Sequence, residues 1–279
     1  VSKLLKGKPV ADDILQRTKN LVASLSAVPQ VALVRVGVDP AAKGYQRSAA
    51  NVLQQAGLKT VPVVFDSQIT FSEFESQVTQ LNEDQQIDAI LLLEPLPESL
   101  PLDAVQDLLD PCKDIDGVTR ANLGSTLSPR SGDLVPLTAA AVLELLNFYE
   151  FNLRGVEVVL IGDSLTVGRP LANLLLAQNA TLTVCDKYTK QLFEHTVQAQ
   201  LVITAVGQPN LLTADMVNKD AVVVDVGTNY DEAGKLVGDV DFAQVSQKVQ
   251  AITPVPGGVG AITTALLAYR AARIASQGK

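Results

Sequence analysis

The clearest chemical signal in the sequence is a turn. The apolar run Val156–Ile161 leads into Gly162-Asp163-Ser164-Leu165-Thr166-Val167-Gly168-Arg169-Pro170 and then directly into a helix-period segment that ends near Asn179. A strand, a glycine turn and a helix N-terminus in that order can receive a pyrophosphate on backbone N–H groups. The missing Cβ of Gly162 or Gly168 permits close approach. The next apolar run, Thr181–Cys185, ends at Asp186, an acidic residue suited to a ribose 2′-OH. The spacing departs from G-x-G-x-x-G, so on its own a plain strand-to-helix turn explains the motif equally well. Two later runs also end in glycine turns, Val206-Gly207-Gln208-Pro209 and Val226-Gly227-Thr228-Asn229. A ligand crevice along one edge of a doubly wound sheet needs several such turns. Asp114 and Asp116 before Gly117 have the form of Asx turns. The three glycines of Pro256-Gly257-Gly258-Val259-Gly260 allow close backbone approach or form a turn before the last helix. His195 is the sole histidine, and Cys112 and Cys185 lack a partner motif, so no metal site is expected.

These turns need elements to hold them. Short β-branched runs recur at Val31–Val36, Val61–Phe65, Ala89–Leu93, Val156–Ile161, Thr181–Cys185, Leu201–Val206, Ala221–Val226 and Val249–Ile252. Their lack of polar alternation suits parallel strands buried on both faces. Helix-period segments lie between them, clearest at Gln46–Ala56, Phe71–Asn82 and Pro170–Gln178. The repetition predicts an α/β fold with parallel sheets. Eight strands could close one barrel, but the irregular stretch Pro111–Pro136 argues for two units. Thr138 is then placed to cap a helix, Ala139–Tyr149, that leads into the second unit.

The length of 279 residues fits one or two domains. With 47% apolar and 19% charged residues the chain is neither disordered nor fibrous. A net charge of −8 argues against a nucleic-acid or anionic-membrane partner. No apolar run approaches the ~20 residues that span a bilayer. The opening VSKLLKGKPVADD lacks the apolar core of a signal peptide, and two cysteines fit a reducing compartment. A soluble, cytoplasmic protein is expected.

The motifs together resemble one family, the bifunctional methylenetetrahydrofolate dehydrogenase/methenyltetrahydrofolate cyclohydrolases, along nearly the whole chain. The matching segments are Val36–Tyr45, Glu94–Pro97, Pro111–Gly117, Gly162–Pro170, Leu174–Cys185, Asp225–Asn229, Leu236–Phe242 and Ile252–Thr263. The resemblance implies an α/β protein of two domains. An N-terminal folate domain, residues 1–137 rejoined by a C-terminal helix in 256–279, would face a cleft. A Rossmann-type doubly wound sheet, residues 138–255, would hold a nicotinamide dinucleotide. It also implies a tetrahydrofolate substrate and a homodimer. Tyr45 matches the tyrosine that packs on the folate rings, and Asp116 the aspartate that accepts from the pterin edge. Pro256, Gly257, Gly258, Val259 and Gly260 match the loop along the substrate. Gly162, Ser164 and Thr228 match dinucleotide contacts.

The departures from the family are as informative. The proton-transferring lysine, four residues after the tyrosine, is Ala49 here. The glutamine that tunes it is Leu93. Lys43 lies in the preceding loop and Arg47 about 200° around the helix from Tyr45, so neither replaces the lysine. Asp163 stands where NADP users carry arginine, and Asp186 with Lys187 where they carry a histidine–serine pair. Carboxylates there repel a 2′-phosphate, which favours NAD over NADP, with Lys187 a partial offset. The expected activity is therefore oxidation of 5,10-methylenetetrahydrofolate, with the cyclohydrolase step weak or lost. The fully bifunctional enzyme and a catalytically silent folate- or nucleotide-binding relative stand beside it.

Overall fold

The computed structural model describes residues 2–277; Val1, Gly278 and Lys279, which end the expected domain ranges, lie outside the described residues. In chain order the elements begin β1 (Lys3–Leu4), α1 (Gly7–Ala23), β2 (Gln30–Val36), α2 (Pro40–Gln55) and β3 (Lys59–Phe65). They continue α3 (Phe71–Glu83), β4 (Ala89–Leu92), α4 (Leu102–Gln106), α5 (Arg120–Ser125) and α6 (Leu137–Phe148). Next come β5 (Glu157–Ile161), α7 (Gly168–Ala177), β6 (Thr181–Cys185), α8 (Leu192–Thr196) and β7 (Leu201–Thr204). The last are β8 (Val222–Asp225), β9 (Asn229–Tyr230), β10 (Leu236–Val237), α9 (Phe242–Val245), β11 (Ala251–Ile252) and α10 (Val259–Ser276).

The chain divides into two compact units. One comprises the residues through Ala11, Thr126–Pro129 and Thr138–Thr263; the other Asp12–Ser125, Arg130–Leu137 and the residues from Thr264 onward. The first unit carries a six-stranded sheet in the order β1-β11-β8-β7-β5-β6, with every pairing parallel. Its core packs Val159, Ile161, Val202, Val223 and Ile252 with Leu212 and Val245. The order in which strands are added reverses at β5, with β6 on one side of it and β7 on the other, so the turns after β5 and β7 flank a topological switch point.

The second unit carries a three-stranded parallel sheet, β3-β2-β4. Ala32, Val34 and Val36 of β2 pack against Phe74 and Val78 of α3, with Phe65 edge-on to Phe74 at 5.4 Å. Asp39 caps α2 by accepting from the Ala42 N–H at 2.9 Å, and Thr70 with Glu73 forms a capping box on α3. Here β2 is the switch point, so the turns after β2 and β4 open on a shared edge.

Two parallel sheets replace the single-barrel option, and the eight expected strands are all present. The differences are local. Arg120–Ser125 is helical inside the stretch expected to be irregular, and α6 begins at Leu137, with Thr138 inside it. Unit boundaries also differ from the expected 137/138 and 255/256 divisions. Lys3 and Leu4 pair with Ala251 and Ile252, and the Gly7 N–H donates to the Gly257 carbonyl at 2.8 Å. Both the start of the chain and residues 256–263 therefore belong with the six-stranded sheet.

Candidate functional site

The site residues fall into two groups, one in each unit. In the six-stranded unit, the turn after β5 is set by close backbone packing. Gly162 has φ +116°, and a Cβ on it would lie 2.3 Å from the Ala205 carbonyl oxygen. A Cβ on Gly168 would lie 2.1 Å from the Gly162 carbonyl oxygen. Both positions thus require glycine, and the turn is held tight against the β7 end. The Ser164 hydroxyl accepts from the Val167 and Gly168 N–H groups, each at 3.3 Å, at the start of α7. The space of the missing Cβ atoms is thus taken up by the protein's own backbone and not left open. The effect is to hold the N-terminal end of α7 close to the turn, the placement in which a helix N-terminus can receive a pyrophosphate. Gly168→Ala is expected to cost about 1–3 kcal/mol of stability, because the new methyl has no space. A lower urea midpoint checks this; an unchanged midpoint would mean that the turn relaxes freely.

The charges around this turn are distributed unlike the sequence expectation in one respect. Asp163 is ion-paired with Arg169 at 3.2 Å, and the Arg169 Nε donates to the Asp163 carbonyl at 2.9 Å. Asp186, after β6, accepts from the Tyr188 N–H at 2.9 Å and from the Thr189 hydroxyl at 3.1 Å. The Lys187 ammonium sits 5.0 Å from the Tyr188 ring centroid. An arginine does therefore flank the turn, but a carboxylate already engages it.

Two buried carboxylates shape the rest of this edge. Asp225 accepts from the N–H groups of Gly227 at 2.9 Å, Asp239 at 3.0 Å and Val240 at 3.0 Å. Asp239 accepts from Val206 N–H at 2.8 Å, Gln208 N–H at 2.9 Å and the Asn229 amide at 2.9 Å. Together they tie down the turns after β7 and β8 that carry Gly207 and Thr228. Burial raises the Asp225 pKa, against the pull of its N–H donors. Thr228 and the loop Pro256, Gly257, Gly258, Val259 and Gly260 line one cavity of about 360 Å³ with Asp225 and Thr138.

In the three-stranded unit, Tyr45 and Ala49 lie one turn apart on α2. Tyr45 keeps 40% of its surface open, whereas Ala49 is fully buried. Burial, and next the Asp116 charge, push the Tyr45 phenol up to about 12. Leu93 follows β4, donates its N–H to the Val34 carbonyl at 2.8 Å and is 1% exposed. Asp114 is buried and spends its carboxylate on the N–H groups of Gly117 and Thr119, both at 2.9 Å, and on the Asn122 amide at 3.0 Å. It builds the loop that presents Asp116. Burial raises the Asp116 carboxyl to about 6, with Asp114 adding to the rise, Arg270 opposing it and Glu94 adding to it. The Arg270 guanidinium donates to the Ile115 and Val135 carbonyls, which fixes that loop. Lys43, which lies within α2 and not in a loop before it, and Arg47 are exposed and line a groove with Arg35, of which Tyr45 and Ala49 are not lining residues.

Sequence reasoning overlooked Glu94, Arg169, Asp225 and Asp239 as individuals. Each sat inside a quoted motif, and for Glu94 and Asp225 a charged residue at a strand end was the available signal. His195 lies on α8, Cys112 is exposed and Cys185 is buried. No group of His, Cys, Asp and Glu suited to a metal occurs among the described residues. Nor is any described helix long and apolar enough to cross a membrane.

The family model for the tetrahydrofolate dehydrogenase/cyclohydrolase catalytic domain matches residues 5–116, and the NAD(P)-binding domain model of that family matches residues 136–279. The chain is 41% identical to the bifunctional protein FolD of Dictyoglomus turgidum over 268 residues, covering 95% of each chain. It superposes on the crystal structure of the FolD methylenetetrahydrofolate dehydrogenase/cyclohydrolase of Campylobacter jejuni with TM-score 0.97 at 38% identity, covering 99% of each. A 5,10-methylenetetrahydrofolate dehydrogenase from the silkworm Bombyx mori gives TM-score 0.92 at 35% identity, again covering 99% of each.

Proposed function

The chain belongs to the tetrahydrofolate dehydrogenase/cyclohydrolase family, and from that premise we propose that it oxidises 5,10-methylenetetrahydrofolate to 5,10-methenyltetrahydrofolate with NAD, hydrolysis of the product being weak or lost. The observation that carries this reading is the pair Ala49 and Leu93, both buried and apolar. They stand at the family's lysine and glutamine positions, and neither side chain can donate or accept a proton. Hydride transfer asks mainly for positioning, so it survives such a loss better than hydrolysis does.

On this reading Tyr45 packs on the folate rings and Asp116 accepts from the aminopyrimidine edge of the pterin. With its pKa near 6, Asp116 is a full acceptor above that pH and loses this role as the pH falls through it. Pro256, Gly257, Gly258, Val259 and Gly260 form the loop along the substrate. Gly162, Asp163, Ser164, Gly168, Asp186 and Thr228 hold the dinucleotide, the two glycines letting the turn pack closely enough to bring the start of α7 to its pyrophosphate. NAD, when bound, supplies the hydride acceptor. Asp163 and Asp186 favour NAD over NADP by placing carboxylates where a 2′-phosphate would sit. The three-stranded unit, which includes most of residues 1–137 and the chain from Thr264 onward, acts as the folate domain, and the six-stranded unit, which includes 138–255, as the cofactor domain. The protein works without a metal, as a cytoplasmic homodimer.

Turnover of methylenetetrahydrofolate with each nucleotide tests the proposal. Accumulation of the methenyl form, faster with NAD than with NADP, is the expected result. No methenyl product with either cofactor would sink the dehydrogenase reading and leave a silent binding protein. Conversion to the 10-formyl form well above the spontaneous rate would restore the bifunctional one.

A further inference from the structure

Glu94 is left unused by the roles above, yet the fold delivers it to the folate edge of the three-stranded unit. The Leu93 N–H still pairs with Val34, so Glu94 is the first residue beyond the β4 ladder. On the other side of β4 runs the segment through Asp116, in parallel. The Ile90 N–H donates to the Lys113 carbonyl at 2.7 Å, and Ile90 bridges to Asp114. Tyr45 follows β2, the remaining neighbour of β4. Glu94 and Asp116 therefore emerge at the same ends of two adjacent parallel segments, and Tyr45 lies in the second turn of α2, the helix that follows the neighbouring parallel strand at that end. The charges register this closeness: Glu94 acts on Asp116, and Asp116 on Tyr45. Protein packed around the Glu94 carboxyl also raises its own pKa.

The balance of charge at this edge is negative. Asp114 is occupied by three donors, and Arg270 opposes the carboxylates while bonded to two carbonyls. Lys113 is turned to the Leu81 and Asp84 carbonyls. Position 49 brings a methyl group and no charge. The ligand's own chemistry makes this balance matter. The methylene bridge between the two folate nitrogens is neutral, whereas the methenyl bridge is an amidinium with one positive charge shared over both nitrogens. A carboxylate a few ångströms away, in a partly dehydrated site, discriminates between those two states.

We propose that Glu94 and Asp116 form a carboxylate pair that makes this site selective for the cationic one-carbon form of the folate over its neutral forms. Asp116 holds the pterin, and Glu94 supplies the counter-charge for the bridge. The inference rests on the reading of this edge as a folate site, but not on turnover. It identifies Glu94 as a specificity-determining residue that favours the charge created on oxidation.

The test is a pair of affinities measured by rapid mixing at neutral pH, without nucleotide, for 5,10-methenyltetrahydrofolate and tetrahydrofolate. Wild type is expected to prefer the methenyl cation, and Glu94→Gln to reduce the ratio of the two affinities about tenfold. Glu94→Asp, which keeps the charge, is expected to retain most of the ratio. Equal loss for both folates, no loss, or no binding of either folate overturns the proposal. Should Glu94→Gln fail to fold, wild type alone suffices. Its ratio falls as the pH drops through the titration of the Glu94–Asp116 pair, and a ratio constant with pH overturns the proposal. A wild type that shows this ratio yet turns over with neither nucleotide would refute the dehydrogenase reading alone.

Discussion

Ala49→Lys combined with Leu93→Gln raises methenyltetrahydrofolate hydrolysis by about 10²-fold over wild type, the lower end of what a positioned acid–base group contributes. Position 49 lies one turn beyond Tyr45, so a lysine there occupies the same helix face as the tyrosine. The ammonium would enter a buried position and needs partners. Glutamine at 93 offers an acceptor, while Asp116 and Glu94 provide opposite charge at the same edge. Ala49→Lys alone leaves the new cation beside Leu93, so it is expected to lose more stability and gain less activity than the pair. The measurement is disappearance of the methenyl form, corrected for the spontaneous rate. A double variant that folds and binds folate but leaves this rate unchanged would show that the hydrolase deficit lies elsewhere.

The second large effect concerns the nucleotide. Wild type is expected to favour NAD over NADP by about 10²-fold in kcat/KM, since like charges brought together in a binding site cost several kcal/mol. Asp163→Arg with Asp186→Ser should bring that ratio to one or reverse it. Removing Asp163 also releases Arg169 from its ion pair, so two guanidinium groups become available to a phosphate. Serine at 186 can still accept from the Tyr188 N–H and so keep the turn after β6. Equal use of both nucleotides by wild type, or a ratio unmoved in the variant, would refute the assignment of these carboxylates.

How much of this was legible beforehand depended on the range of the interaction. Runs such as Val31–Val36 and Val156–Ile161 are contiguous and β-branched, so their burial between layers is written locally. The two-residue strands at Lys3–Leu4, Asn229–Tyr230 and Leu236–Val237 carry no period, and only their partners make them strands. The same limit applies at the site. Tyr45, Ala49 and Asp116 were found through matched motifs. The pairing of Asp163 with Arg169 needed the turn to be folded first. Likewise Asp239 reads as a loop aspartate until Val206, Gln208 and Asn229 converge on it. Glu94 was read within a proline turn, because its relation to Asp116 is created by the parallel run beside β4.

The pairing of β1 with β11 limits how this protein can be dissected. The unit that carries the dinucleotide turn is assembled from three separate stretches of chain, with its edge strand drawn from the first few residues. Expression of residues 138–263 alone would strip that strand away and leave β11 unpaired on the side that faces β1, a template for association between molecules. A soluble fragment therefore has to carry Lys3–Leu4 as well, rejoined through a linker or a permuted chain order. Limited proteolysis cannot deliver it either, because one cut in the Pro111–Pro136 region leaves both pieces interlocked through the chain ends.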